Sequence, residues 1–301
     1  MKILFYGEGR LGNQVFQYQA LSNLAGSGGS IIAVGLEDMQ ASLDLTGPPL
    51  RVVCRSKWLK RFVKYIVLPC ILRPLCRTLR LTGYAFEHQS GSGAQRRAEG
   101  EMVVRPGLLR RIVFVDGGGY QSEAHWSRAF PATTLRLKPE LQHAAQEYLD
   151  ASNPEGYPNA FVHVRRGDYL TFSAYGVGGL TLPEFYYRGA IAELRQRLRR
   201  LGPLRLVFVT DDPEWVRETF ADIEPKSIAS FHPALDFAIM AGCTAGIVSN
   251  STFSLAAALL LDNPQLVIGP QYWLGFRARE WLPPRIRFDR PQMLYLPAIA
   301  Q

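Results

Sequence analysis

No Cys-x-x-Cys pair occurs in this chain, and the four cysteines (Cys54, Cys70, Cys76, Cys243) stand apart from one another. The five histidines also lack the short spacings of a zinc or iron site. Neither a disulfide framework nor a structural metal is expected, which suits a reducing compartment. The apolar run Tyr65 to Leu72 is too short for a membrane span and is interrupted by Pro69. Met1 to Tyr6 runs straight into a glycine-rich turn, leaving no room for the charged, apolar and cleavage regions of a secretory leader. A cytoplasmic location is the expectation.

Acidic residues are missing from one long stretch. Between Asp44 and Glu87 there is none, while Arg51, Arg55, Lys57, Lys60, Arg61, Lys64, Arg73, Arg77 and Arg80 crowd around the apolar run. Two readings are open. With Trp58, Phe62, Ile66 and Val67 among those cations, residues 51–80 suit a segment lying peripherally on an anionic membrane surface such as the inner leaflet. The same residues also describe a solvated basic helix packed on its own domain. The net charge of +8 favours an anionic partner without naming it.

What is present reads as an α/β protein. A chain of 301 residues, 47% hydrophobic, can bury two ordinary cores. Lys2 to Tyr6 is a short buried strand, Asn13 to Ala25 a helix and Ser30 to Val34 the next strand, a β-loop-α-β opening. Residues 48–111 are the least legible, and Gln89 to Gly100, rich in Ser, Gly and charge, reads as a loop. A strand resumes at Ile112 to Val115, and Pro139 to Ala151 is an amphipathic helix; Asn153 to Pro158 is the best linker. Beyond it, strands at Ala160 to Val164, Leu206 to Thr210, Gly246 to Ser249 and Gln265 to Ile268 alternate with helices at Pro183 to Arg200, from Pro213, at Pro233 to Gly242 and at Thr252 to Leu261. Such alternation predicts a parallel sheet with helices on both faces. We therefore expect a Rossmann-like domain over 1–152, a second over 157–290 and a tail over 291–301, with a ligand cleft at the carboxyl ends of the strands.

The strongest local signal is His163-Val164-Arg165-Arg166-Gly167-Asp168-Tyr169, where a buried strand gives way to a loop. Adjacent guanidinium forks suit a diphosphate; the ordinary alternative is an exposed turn. Asp211-Asp212 after a strand resembles a metal pair, yet with Pro213 and Glu214 it also spells a capped helix start, with one carboxylate left to touch a ribose. Ser249 to Ser254 puts Asn250, Ser251 and Thr252 where a strand turns into a helix, suited to phosphate oxygens or to an N-cap. Gly7-x-Gly9-x-x-Gly12, with Glu37 or Asp38 downstream, matches a dinucleotide fingerprint and keeps an NAD(P)-dependent oxidoreductase in play.

Five blocks in order carry a resemblance: GRLGNQVFQYQAL near the start, GYQSE at Gly119 to Glu123, HVRRGDY, FVTDDPEWV at Phe208 to Val216, and DFAIMAGCTAGIVSNSTFSLAAALL from Asp236. In these the chain resembles the α-1,2-fucosyltransferases of glycosyltransferase family eleven along nearly its whole length. Leu255, Ala256 and Ala257 stand where many members carry bulky aromatics. The resemblance implies two facing Rossmann-like domains of the GT-B type and GDP-fucose held mainly by the second. It implies inverting transfer without a metal or other cofactor, to the 2-hydroxyl of a galactose in an oligosaccharide or lipid-linked glycan. By similarity, Arg165 and Arg166 match the arginines that hold the diphosphate, and His163 and Asp236 match positions near the guanosine. A carboxylate there can accept both guanine N1–H and N2–H; without the resemblance Asp236 reads as a helix N-terminal charge.

Further roles follow from the same blocks. Gly12, Asn13 and Gln14 would line the interdomain cleft, where Gln14 and Gln17 otherwise only cover a helix. Gln121 and Glu123 would meet the acceptor or merely cap the next helix. Asp168 is the preferred general base, its alternative being to pair with Arg165 or Arg166 and fix their forks. Other linkages remain open, and a non-catalytic membrane or nucleic-acid adaptor acting through Arg51 to Arg80 is the third class; no nucleic-acid partner is expected of a transferase.

Overall fold

The computed structural model describes residues 1–54, 56–90, 97–127, 133, 135–174 and 176–299. The first half runs β1 (Lys2–Tyr6), α1 (Leu11–Ala25), β2 (Ser30–Val34), α2 (Glu37–Ser42), β3 (Leu43–Asp44) and β4 (Leu50–Val52). It continues with α3 (Lys57–Phe62), a wider-turned helical segment (Val63–Leu72), α4 (Arg73–Arg77), β5 (Thr82–Ser90), β6 (Arg97–Arg105), β7 (Leu109–Val115) and β8 (Arg136–Leu137). The second half holds α5 (Pro139–Ala151), β9 (Asn159–Val164), β10 (Ser173–Ala174), β11 (Val177–Gly178), α6 (Glu184–Arg197), β12 (Arg205–Thr210) and α7 (Pro213–Thr219). It ends with β13 (Lys226–Ala229), α8 (Pro233–Ala241), β14 (Ala245–Ile247), α9 (Thr252–Leu259), β15 (Val267–Pro270) and β16 (Met293–Leu296).

Two six-stranded sheets carry these elements. In the second, the order is β13-β12-β9-β14-β15-β16 and every pairing is parallel. Central strands of a parallel sheet are covered on both faces, which is why Arg205–Thr210 is buried at every position. Successive strands leave β9 first to one side (β12, β13) and then to the other (β14, β15, β16). The doubly wound order therefore reverses between β9 and β14, and a crevice opens there at the carboxyl ends. The first sheet, β4-β2-β1-β7-β5-β6, reverses between β1 and β7, and only β6 runs antiparallel to its neighbour.

Two segments differ from the sequence reading, and the basic stretch takes the helical form that one of its readings describes. Gln89 and Ser90 end β5 and Arg97 to Gly100 begin β6, with Gln89 opposite Ala98, so cross-strand pairing overrides a loop-like composition. Residues 91–96 and Arg55 lie outside the described residues. Within 291–301, Met293–Leu296 pairs with β15 rather than trailing as a tail. The illegible basic stretch forms one helical run, Lys57 to Arg77.

The halves share a core. Phe16 and Trp126 of the first pack edge-on with Phe288 of the second, at ring separations of 5.0 to 6.3 Å. Gly12 permits a close approach: a Cβ there would sit 2.4 Å from the backbone nitrogen of Phe253, so the N-termini of α1 and α9 abut. The linker, at the amino end of β9, is held by buried Arg205, whose guanidinium donates to the Leu149 carbonyl (3.0 Å), Asn159 Oδ1 (2.9 Å) and the Ser152 and Ser227 hydroxyls.

Candidate active site

The loops after β9, β12 and β14 form one cluster because those strands are adjacent and parallel. His163, the next-to-last residue of β9, is buried, and its Nδ1 lies 2.8 Å from Ser249 Oγ. Burial, reinforced by the neighbouring Arg165 charge, lowers its pKa to about 3 and keeps the imidazole neutral. Its ring lies 5.6 Å from that of Phe253, which in turn lies 5.6 Å from Phe237. This aromatic chain brings His163 toward Asp236 on the first turn of α8. Asp236 is buried and accepts the Phe231 N–H at 3.0 Å; burial raises its pKa, and the backbone donor only partly offsets that.

Both motif arginines are held rather than free. Arg165 pairs with Asp168 (2.6 Å) and Asp211 (2.8 Å) and lies over the Tyr169 ring. Arg166 pairs with Asp212 at 2.9 Å and stacks on Trp215, 4.2 Å from the ring centroid. Asp212 also caps α7 by accepting the Trp215 N–H, with Pro213 at the first helical position. Asp211 accepts the Arg166 N–H at 2.9 Å, and a Cβ on Gly167 would lie 2.6 Å from its other oxygen. So the acidic pair after β12 serves as helix cap and arginine holder, and glycine at 167 lets the loop pass over it.

Across the reversal point, the β14–α9 turn supplies Asn250, Ser251 and Thr252. Asn250 donates to the Leu180 carbonyl at 2.8 Å, while its buried Oδ1 has no partner among the described residues. Ser251 accepts the Phe253 N–H as the N-cap of α9. Thr252 Oγ1 donates to Asn13 Oδ1 at 2.8 Å, and Gln121 Nε2 donates to the same oxygen at 3.2 Å. Asn13 thus joins the two halves at the cleft.

The other first-half residues fall elsewhere. Gln14 is buried inside that half, donating to the Gly9 carbonyl and Asp38 and accepting the Met39 N–H. Gln17 donates to the Glu8 and Gly118 carbonyls. Glu123 accepts the Asp289 N–H at 3.1 Å and lies 3.5 Å from Arg290, bracing the second half. Asp38 is bonded by Gln14, Glu37 is paired with Lys60 at 2.9 Å and Gly12 is pressed against the Phe253 backbone, so the acids that would hold a dinucleotide ribose are engaged within the first half, while Glu8 and Gly9 of the same loop line a cavity.

At the reversal point of the first sheet lies a cavity of about 760 Å³. Its walls include Tyr6, Asn13, Lys64, Tyr65, Arg73 and Asp116. Sequence reading missed Asp116, although an acid between a strand end and Gly117-Gly118-Gly119 is a signal for a residue aimed at a cleft. Its carboxylate accepts from Arg73 (3.0 Å), Arg77 (3.2 Å) and the Tyr84 hydroxyl (2.6 Å). Burial is the largest influence and pushes its pKa up, but Arg73, Tyr84 and the Gly117 N–H together outweigh it, and the group stays ionised. Among the described residues no cluster of three or more His, Cys, Asp or Glu is placed to hold a metal ion.

Two doubly wound sheets facing each other across a cleft, with paired arginines at the reversal point of the second, define a glycosyltransferase of the GT-B architecture. The chain belongs to Glycosyl transferase family 11, whose family model matches residues 124–274. It is 29% identical over 119 residues to the O-antigen biosynthesis glycosyltransferase WbnK of Escherichia coli, covering 38% of each chain. It is 27% identical over 174 residues to the galactoside 2-alpha-L-fucosyltransferase SEC1 of Bos taurus, covering 54% of this chain and 46% of that one. The alignments thus span less than half of either relative. Among solved structures, the fucosyltransferase NodZ from Bradyrhizobium superposes with a TM-score of 0.50 at 14% identity, covering 86% of this chain and 93% of that one, a likeness of fold.

Proposed function

We propose that the protein transfers L-fucose from GDP-β-L-fucose to the 2-hydroxyl of a galactose in a glycan acceptor, inverting the anomeric centre without a metal ion. The observation that carries this is the position of Arg165 and Arg166 at the carboxyl end of β9, one strand from the β14–α9 turn. Family membership and the bovine relative's named activity support the sugar and the linkage.

In this reading the second half holds the donor. The guanine edge bonds Asp236, on the side of the second half where Phe237, Phe253 and neutral His163 pack together. The diphosphate lies between the two guanidiniums and the α9 N-terminus with Asn250, Ser251 and Thr252, so charge developing on the leaving GDP meets preoriented donors. The acceptor occupies the first-half cavity, where Tyr6 and Tyr65 offer apolar faces to a sugar ring and ionised Asp116 accepts a sugar hydroxyl. Asp168, on the arginine loop, takes the proton of the attacking hydroxyl as that oxygen bonds to C1 and the C1–O bond to GDP breaks. Gly12 and Gln121 act through the shape of the cleft, Gln14 by holding the first-half loop at Gly9 and Asp38, and Glu123 by bracing the second half at Asp289.

A thermal-shift screen in EDTA with GDP, GDP-fucose, GDP-mannose, UDP-galactose and NADPH tests the donor. GDP and GDP-fucose should raise the melting temperature most and GDP-mannose less, with no rise from UDP-galactose or NADPH. Stabilisation by NADPH alone would overturn the reading. Arg165→Ala should fold normally yet lose GDP-fucose turnover; unchanged turnover would remove Arg165 from the site.

A further inference from the structure

The helical run Lys57–Arg77 has two unlike faces. Its inner cations are neutralised by the first half: Lys60 pairs with Glu37 (2.9 Å), Lys64 with Glu8 (2.7 Å), and Arg73 with Asp116 (3.0 Å). Leu68 and Cys76 are buried with Tyr84 and Phe114, anchoring the run on the sheet. The outer face carries what a self-contained domain would hide. Trp58 is 71% exposed and Tyr65 65%, and Phe62 and Ile66 are exposed beside them. Trp58 and Phe62, four residues apart in α3, lie along one side of it. The Trp58 and Phe62 rings stack on each other at 5.7 Å, in contact with solvent.

Cations flank this stripe without being used. Among the described residues Lys57, Arg61 and Arg80 are exposed and have no acidic partner. Just past the run, exposed Leu79 and Leu81 adjoin exposed Leu108 and Leu109, tied by backbone bonds from Leu108 N–H to the Arg80 carbonyl and from Leu109 N–H to the Leu81 carbonyl. A surface built to grip nucleic acid needs the cations but not this density of aliphatic and indole area. No helix among the described residues is long and apolar enough to cross a membrane.

We infer that this run lies in the surface of an anionic lipid bilayer, with Trp58, Phe62 and Ile66 entering the headgroup boundary and Lys57, Arg61 and Arg80 meeting anionic headgroups. The run is about 30 Å long at helical rise. Lys64, Tyr65, Leu68, Pro69 and Arg73 of the same run line the cavity assigned to the acceptor. One element therefore joins the bilayer surface to that cavity, which suits a glycan carried on a lipid; this last consequence rests on the acceptor reading, whereas lipid binding does not.

The test is co-sedimentation of the full chain with vesicles of phosphatidylcholine alone or of phosphatidylcholine with phosphatidylglycerol. Partition should be strong only to the anionic vesicles and fall with added salt. Lys57→Gln with Arg61→Gln should lower it about twenty-five-fold, roughly fivefold per cation, and Trp58→Ala with Phe62→Ala by about tenfold or more. All four side chains are exposed and outside the cavity and donor cluster, so the GDP-induced rise in melting temperature should be unchanged in both variants. That rise separates this inference from the donor reading, since either can fail while the other stands. Equal partition of parent and variants, absence of partition, or salt-sensitive retention by RNA or DNA in place of vesicles would overturn the inference.

Discussion

Replacing Asp168 by Asn tests the charge logic of the donor site most directly. Two cations, Arg165 and Arg166, are opposed there by three carboxylates, Asp168, Asp211 and Asp212, leaving one surplus negative charge where a diphosphate is proposed to bind. One carboxylate must yield its guanidinium to the phosphate. Asp211 and Asp212 are committed elsewhere, to the Arg166 N–H and the α7 cap, and their side chains are 27% and 31% exposed. Asp168 is 52% exposed and holds only Arg165. A half-solvated pair of this kind contributes about 0.5–1 kcal/mol. Asp168→Asn should therefore tighten GDP binding roughly twofold to fivefold, read by titration calorimetry at one fixed salt concentration because such pairs are screened. Transfer should fall at the same time by about a hundredfold or more, the usual loss on removing a general base. Damage to the fold cannot move the two readouts in opposite directions. Weaker GDP binding by the variant would show that Asp168 orients Arg165 and would refute the displacement argument; transfer within severalfold of the parent would take the base role from it.

Two further outcomes follow from the geometry. Burial raises the pKa of Asp236 above the ordinary 3.8 in the free protein, and guanine binding requires the ionised form. GDP affinity should therefore be full above that raised pKa and drop about tenfold per pH unit below it, with the acid limb absent in Asp236→Asn; superimposable profiles for the two proteins would count against the contact. Gly12→Ala places a Cβ 2.4 Å from the Phe253 nitrogen and 2.6 Å from the Thr252 carbonyl carbon, backbone atoms that cannot rotate aside. It should cost about 1–3 kcal/mol and lower the melting temperature, and an unchanged melting curve would mean that α1 and α9 do not touch as described.

The second half was legible because its strands are buried on both faces and read as continuous apolar runs, bounded by caps as plain as Asp212-Pro213. Periodicity therefore located β9, β12, β14 and the loops that follow them, and the arginine motif came with its strand. Lys226–Ala229 and Met293–Leu296 went unread, since edge strands are only partly buried and lack that signature. The first half resisted for another reason. Gln14 and Gln121 look alike in sequence, yet one is consumed by Gly9, Asp38 and Met39 while the other reaches Asn13, and only tertiary packing separates them. Asp116 is tied to Arg73 and Arg77, some forty residues away, so its setting could not be read from its neighbours.

Asn13 is where the two proposed substrate sites meet, and its surroundings bear on how they are kept in register. It lines the first-half cavity and accepts from Thr252 at the α9 N-terminus. Beside it, Gly12 lets the two helix starts press backbone to backbone, and Phe16, Trp126 and Phe288 close the apolar seam behind them. A pivot so packed, with a shared core rather than a polar seam, resists the relative domain motion expected where an interface is small and wet. The distance between donor carbon and acceptor oxygen is then set near this pivot, where rotation of one half about the other displaces atoms least. Any adjustment falls to parts farther from it, the half-exposed Asp168 on the arginine loop and the 57–77 run over the acceptor cavity.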